Sequence, residues 1–248
     1  MLLSELENYT GQLLEVERFR DYCPNGLQVE GRGEVKKLVS GVTASLDLLK
    51  AAVEMGADAV LVHHGYFWKN EDSRVVGVKR ARLEWLLRHN VSLLAYHLPL
   101  DAHPQLGNNA QLAGMLGAEI EGWFGEQNIA AHGSLSGPLP LSAWIGKVAD
   151  NLGRMPLAIG DANKPVRRVA WCSGGAQGYF EEATRLGVDA FLTGEISEQS
   201  VHVARETGVA FIAAGHHATE RYGVQALGAH LAERFGIEHC FVEISNPA

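Results

Sequence analysis

The 248 residues carry 21 Lys and Arg against 29 Asp and Glu, a net charge of −8, with 46% hydrophobic residues. That composition suits one large α/β domain or two α/β lobes with a real core, and no apolar run approaches the ~20 residues that cross a bilayer. The acidic balance argues against nucleic acid as a partner, because phosphate binding rests mainly on Lys and Arg.

The chain opens on "MLLSELENYTGQLLEVERF", whose Glu5, Glu7, Glu15 and Glu17 mark the polar face of an amphipathic surface helix rather than a targeting segment. "VKKLVSGVTAS" reads as a strand and turn, and "LDLLKAAVEMG" as a helix closed by Gly56. "DAVLVHH" is a strand, "VKRARLEWLLRHN" a helix and "VSLLAYH" another strand. The middle stretch predicts a helix near 108–117, a short strand or two, a helix near 141–152 and a strand near 156–159. "SGPLP" and "GDANKP" are its turns.

The first pattern then returns. "VRRVAWCSGG" resembles "VKKLVSGVTA", and "EEATRLGVDAFLTGE" resembles "KAAVEMGADAVLVHH". Val166 stands 131 positions after Val35, and Gly187 stands 131 after Gly56. We therefore expect two related α/β lobes, 1–130 and 131–248, from an internal duplication. The three cysteines, Cys23, Cys172 and Cys240, are scattered singly and form no CxxC pair, as expected of reduced thiols in a cytoplasmic protein.

Of the eleven histidines, the informative ones stand at predicted strand ends, where open α/β sheets bind ligands. His63 and His64 close "DAVLVHH"; neighbours in a regular strand point to opposite faces, so they serve one site only if the strand has just ended. "YHLPLD" sets His97 four residues before Asp101, and "GHHATE" sets His216 four before Glu220. Both members of the second motif lie 119 positions after those of the first. On a helical turn this spacing puts imidazole and carboxylate on one face, although Pro99 could force a loop in the first motif. Such donors suit Zn, Fe, Mn or similar ions, and with His63 and His64 there are ligands for two divalent ions. A lone HxxxD is usually chance; the symmetry of the repeat raises its weight.

Glu195 aligns with His64 and is a candidate for proton transfer, with a solvated carboxylate as the plain alternative. Gly174, Gly175 and Gly178 could cradle phosphate, but a tight turn accounts for them as well. His89, His202, His230 and His239 are expected at the surface, in or beside helices, and His103 and His132 in loops.

The segments "DYCPNGLQVEG", "GVTASLD", "GADAVLVHHGYFWK", "YHLPLDAH", "GNNAQLA", "VAWCSGGAQ", "GVDAFLTGEISEQ" and "AAGHHATERYGV" resemble the Nif-three-like proteins, also called GTP cyclohydrolase 1 type 2 homologues, in their bacterial YbgI-type branch. The resemblance runs from about residue 20 to residue 248. It implies a dinuclear metal centre between two lobes, with His63, His64, Asp101, His216 and Glu220 as ligands, Glu220 bridging and His97 close by. It also implies a ring-shaped homohexamer built as a trimer of dimers, in a short form without an inserted domain.

The expected function is metal-dependent hydrolysis of a nucleotide or related small heterocycle, with Glu195 or His97 moving the proton. The alternative is a non-catalytic metal-binding scaffold or regulator assembled as a ring.

Overall fold

The computed structural model describes residues 1–248 and divides into two compact units. The first holds Met1–Leu100 with Gly223–Ser245, and the second Asp101–Tyr222 with Asn246–Ala248. The division falls at residue 100 rather than near 130. It also returns a C-terminal stretch to the first unit, because that stretch adds an edge strand to the first sheet. A search for two contiguous repeats could not anticipate that exchange.

The first unit begins with α1 (Leu3–Leu13), which buries Leu3, Leu6 and Thr10. Glu15 in the left-handed region ends the helical run before a single turn at Val16–Arg18. There follow β1 (Gly26–Val29), β2 (Lys37–Thr43), α2 (Leu46–Glu54), β3 (Ala59–His64), α3 (Gly77–His89) and β4 (Ser92–Ala95). Ser45 caps α2 by accepting the Leu48 amide, and Gly56, at φ 74°, turns the chain out of it. β3 is buried at every position but its last, so it reads as a continuous apolar run rather than an alternating one.

The chain passes to the second unit within α4 (Leu98–Ala102). Pro99 sits in its first turn, where no helical amide is needed, so the proline starts this helix instead of disturbing it. Next come α5 (Asn108–Leu116), β5 (Ala118–Phe124), β6 (Ala130–Pro140), α6 (Leu141–Leu152) and β7 (Leu157–Ile159). "SGPLP" is not a turn. It is the end of β6, whose register against its neighbour shifts between Ser134 and Leu139. Then follow β8 (Pro165–Trp171), α7 (Phe180–Arg185), β9 (Ala190–Thr193), α8 (Glu198–Thr207), β10 (Ala210–Ala213), α9 (His216–Thr219), α10 (Arg221–Phe235) and β11 (Glu238–Phe241).

The sheet of the first unit has the order β1-β4-β3-β2-β11, parallel except for β1. That of the second has the order β5-β6-β8-β9-β10-β7, with β8, β9 and β10 parallel and the others antiparallel to their neighbours. Each has its own core: Leu48, Val60, Leu86 and Leu93 in the first, Trp144, Trp171, Leu192 and Ile212 in the second.

The duplication is written into the hydrogen bonds. Asp58 accepts the amides of Lys36 (2.9 Å) and Lys37 (3.0 Å), joining the start of β3 to that of β2. In the second unit Asp189 accepts those of Arg167 and Arg168, both at 2.9 Å, between β9 and β8. All three positions differ by 131, so the repeat of the sequence is a repeat of structure.

Candidate metal-binding sites

In the first unit the parallel strands β3 and β4 deliver His63, His64 and, just past β4, His97 to one end of the sheet. Each offers a ring nitrogen within 4.8 Å of the others'. The strand does not end before the histidine pair: His64 still pairs with Thr43 of β2. The β4 side of the ladder stops earlier, at Val62 opposite Ala95, and the two rings come within 4.6 Å between centroids. His63 is fully buried and His64 half-buried.

The ring contacts fix the chemistry. His63 Nδ1 lies 3.0 Å from the carbonyl of Tyr96, which only accepts, so Nδ1 carries the hydrogen and Nε2 the lone pair. His64 Nδ1 meets the Thr43 hydroxyl at 3.1 Å, and His97 Nδ1 the Asp21 carboxylate at 2.7 Å. This is how metal-binding imidazoles are held: one nitrogen on a protein oxygen, the other presented.

Asp21 was not foreseen. Besides His97 it accepts the amides of Tyr22 (2.6 Å) and Leu98 (2.9 Å) and the Asn25 side chain (2.9 Å). Burial would raise its carboxyl, but His97 and these donors hold it below the ordinary 3.8. Asn25 Oδ1 accepts the His97 amide at 2.7 Å, and Gln28 Oε1 accepts the Tyr66 amide at 2.6 Å. "DYCPNGLQ" is therefore a brace for the segments bearing the histidines. Cys23 stands beside Asp21 and His97. Burial, then the Asp21 charge, pushes its thiol up to about 12, so it is a poor ligand.

In the second unit, strand ends again supply the residues: Ser173 and Gly174 after β8, Glu195 after β9 and His216 after β10. His216 Nδ1 meets Glu195 Oε1 at 2.7 Å, and its Nε2 meets Glu220 Oε2 at 3.1 Å. Burial would lower the imidazole, but Glu220 and then Glu195 raise it to about 9. A proton between these acceptors and a divalent ion answer the same need, so the donor set has the chemistry of a cation site.

Asp101, 6% exposed, accepts from Asn108 (2.9 Å) and the Ser173 hydroxyl (3.0 Å). Glu220 is 3% exposed. Burial, then the charges of Asp101 and Glu220, raises the Cys172 thiol well above its ordinary 9.0. Two buried carboxylates near one apolar thiol and one imidazole are a costly arrangement that a cation relieves.

The glycine-rich turn serves this cluster. Gly174, at φ 66°, brings its Cα against Glu220 and His216, where a Cβ would collide with the Glu220 carboxylate. Its amide donates to Thr219 (3.0 Å), and that of Ala176 to Thr193 (3.2 Å). These two amides are already bonded within the protein, which favours a tight turn over a phosphate cradle at Gly174. Asn109 was also missed. It accepts the Ser173 amide (2.8 Å), donates to the Ile129 carbonyl (2.8 Å), and its own carbonyl accepts Trp171 Nε1 (2.9 Å).

Other histidines are structural. His132 lies in β6 and His239 in β11, not in a loop or at a helix. His239 meets Ser40 at 2.8 Å, His230 meets Tyr9 at 2.7 Å, and His103 accepts two amides of its own turn.

Two α/β units, the first carrying three imidazoles and the second imidazole and carboxylate donors near the ends of parallel strands, define a protein with candidate metal-binding groups. The chain belongs to the Duf34/NIF3 (NGG1p interacting factor 3) family, which it matches over residues 1–247. It is 59% identical to the GTP cyclohydrolase 1 type 2 homolog of Pseudomonas aeruginosa, covering 99% of this chain and 98% of that one. It is 51% identical to that of Escherichia coli K12, covering 99% of each. Among solved structures it is similar to protein ybgI, of unknown function, at TM-score 0.97 and 51% identity over 100% of both chains. A Thermus thermophilus protein follows at TM-score 0.88 and 34% identity, again over 100% of both. No helix is long and apolar enough to cross a membrane.

Proposed function

We propose that this chain is a metal-dependent hydrolase in which His63, His64, Asp101, His216 and Glu220 hold two divalent ions, with Glu220 shared between them. The observation that carries the reading is the common anchoring of His63, His64, His97 and His216 through Nδ1. Such fixed tautomers and ring orientations are what a metal requires of its imidazoles.

The bound ions would supply a water acidified towards neutrality and a Lewis-acidic hold on the electrophile. The chain's own groups then have distinct tasks. Asp21 orients His97 through its Nδ1 at 2.7 Å, which sets the imidazole as a candidate for proton transfer at the edge of the histidine cluster. Glu195, about half exposed, orients His216 and can pass a proton to solvent. Ser173 and Asn108 fix Asp101. A nucleotide or related small heterocycle is the substrate class, in keeping with the names of the relatives.

The resemblance further suggests a homohexameric ring. In its support, Val75, Val76 and Val78 stand exposed at the start of α3, apolar side chains that association would cover. The three free cysteines fit a reducing, cytoplasmic setting.

The test is a hydrolase screen of the metal-replete protein beside Glu220→Ala, with ions counted in both. The reading requires turnover in the parent, with turnover and metal lost together in the variant. Tight metal binding without turnover on any substrate would favour the scaffold reading.

A further inference from the structure

Beside His216 the second unit has a cavity of about 460 Å³ that the metal donors do not fill, within the range of small-molecule sites. One wall is apolar: Met155 and Leu157, 71% and 54% exposed, with Ile196 and Ala213. The other is polar: Arg154, Glu195 and the backbone at Gly194 and Gly215. Gly215, at φ 99°, lies so close to the Arg154 side chain that a Cβ would strike the guanidinium. The arginine is therefore seated against the turn that carries His216.

What Arg154 holds is informative. Its Nη1 donates to the carbonyl of Pro247 (2.8 Å) and to the α-carboxylate oxygen of Ala248 (3.1 Å), and the His217 amide donates to the same oxygen at 3.2 Å. Residues 246–248 thus occupy a guanidinium and a backbone N–H that converge on one point. A neutral carbonyl such as that of Pro247 is a modest partner for a guanidinium, whereas a carboxylate, here that of Ala248, or a phosphate forms charge-assisted, often bidentate bonds about twice as strong. Glu195 in the same wall does not oppose such an anion at close range, since its carboxylate is turned to His216 Nδ1 (2.7 Å) and Gln177 Nε2 (3.4 Å).

We propose that Arg154 and the His217 amide form the anion subsite for a small substrate with a phosphate or carboxylate on an apolar body. In this assignment Met155, Leu157 and Ile196 receive the body and residues 246–248 act as a displaceable internal competitor. It deepens the hydrolase reading and rests on it for the meaning of the ligand as substrate, but binding itself can be read without turnover.

The experiment measures dissociation constants of phenyl phosphate, phenol and inorganic phosphate on the metal-replete full chain by NMR titration. Parallel titrations use Arg154→Ala, Arg154→Lys and a chain ending at Ser245, with metal content and melting temperature recorded for each. Phenyl phosphate should bind the parent at least about tenfold more tightly than phenol, from the charge-assisted contacts, and more tightly than inorganic phosphate. Arg154→Ala should remove most of that preference with its metal retained, Arg154→Lys should keep part of it, and the shortened chain should bind phenyl phosphate several-fold more tightly. Equal affinity of parent and Arg154→Ala for phenyl phosphate, or weaker binding by the shortened chain, would overturn the proposal. Because the readout is binding with metal intact, its failure is distinct from loss of the metal centre or absence of turnover.

Discussion

Gly174 and Glu220 are in contact: the turn after β8 brings a glycine Cα, at φ 66°, against the buried carboxylate that follows α9. Only a residue without a Cβ allows it. Gly174→Ala is expected to cost about 1–2 kcal/mol from the left-handed backbone alone, and to displace Glu220. A folded variant with reduced metal content, measured by thermal melting and elemental analysis, is the expected outcome; full metal content at unchanged stability would refute the role given to the contact.

Asp21 fixes the ring of His97 through its Nδ1. Asp21→Asn removes the charge while nearly preserving shape, and losses of about 10- to 100-fold are typical when such a supporting partner is changed. Turnover should fall by that order while metal content and melting temperature stay near those of the parent. A loss of turnover that tracks a fall in melting temperature would indicate a structural role only.

The paired aspartates give a prediction about pH. Burial would raise the Asp58 carboxyl, but the Lys36 and Lys37 amides and Arg32 hold it below 3.8. A depressed folded-state pKa contributes stability above the unfolded value, lost as pH falls through the folded one. Asp58→Asn should therefore be less stable than the parent at pH 7, by about 1–3 kcal/mol for two amides left poorly matched. The gap should close below about pH 3.8. Denaturant melts at both pH values check the sign; a gap that widens in acid would contradict it.

Asn109 ties Ser173 to the loop before β6. Asn109→Ala would leave a buried amide and a buried carbonyl without this partner, a loss of about 1–3 kcal/mol for each group. The expected result is a lower melting temperature together with weaker metal binding, since Ser173 also holds Asp101.

Most of the strands and helices could be read from the sequence because their signals are local: apolar runs, helical spacing, and glycines such as Gly56 and Gly187 that close helices. The duplication was legible from the 131-residue offset, and Asp58 and Asp189 supply its physical basis. Three features were not legible. β11 joins β2 across some 200 positions of chain, and nothing local in "EHCF" announces its partner. Asp21, Asn25 and Gln28 act on segments 38–77 residues away, so their importance lay in contacts, not spacing. The pairing of His63 with His64 depended on one side of the ladder ending first, which strand periodicity does not reveal.

The most direct test is an ion count by native mass spectrometry on protein purified without chelator and reloaded with a divalent metal, beside Glu220→Ala and His63→Ala. Two ions per chain in the parent, with both lost or weakened in Glu220→Ala and one preferentially lost in His63→Ala, is the predicted result. A parent that takes up no metal, or a folded Glu220→Ala that still holds two ions as tightly, would contradict the account.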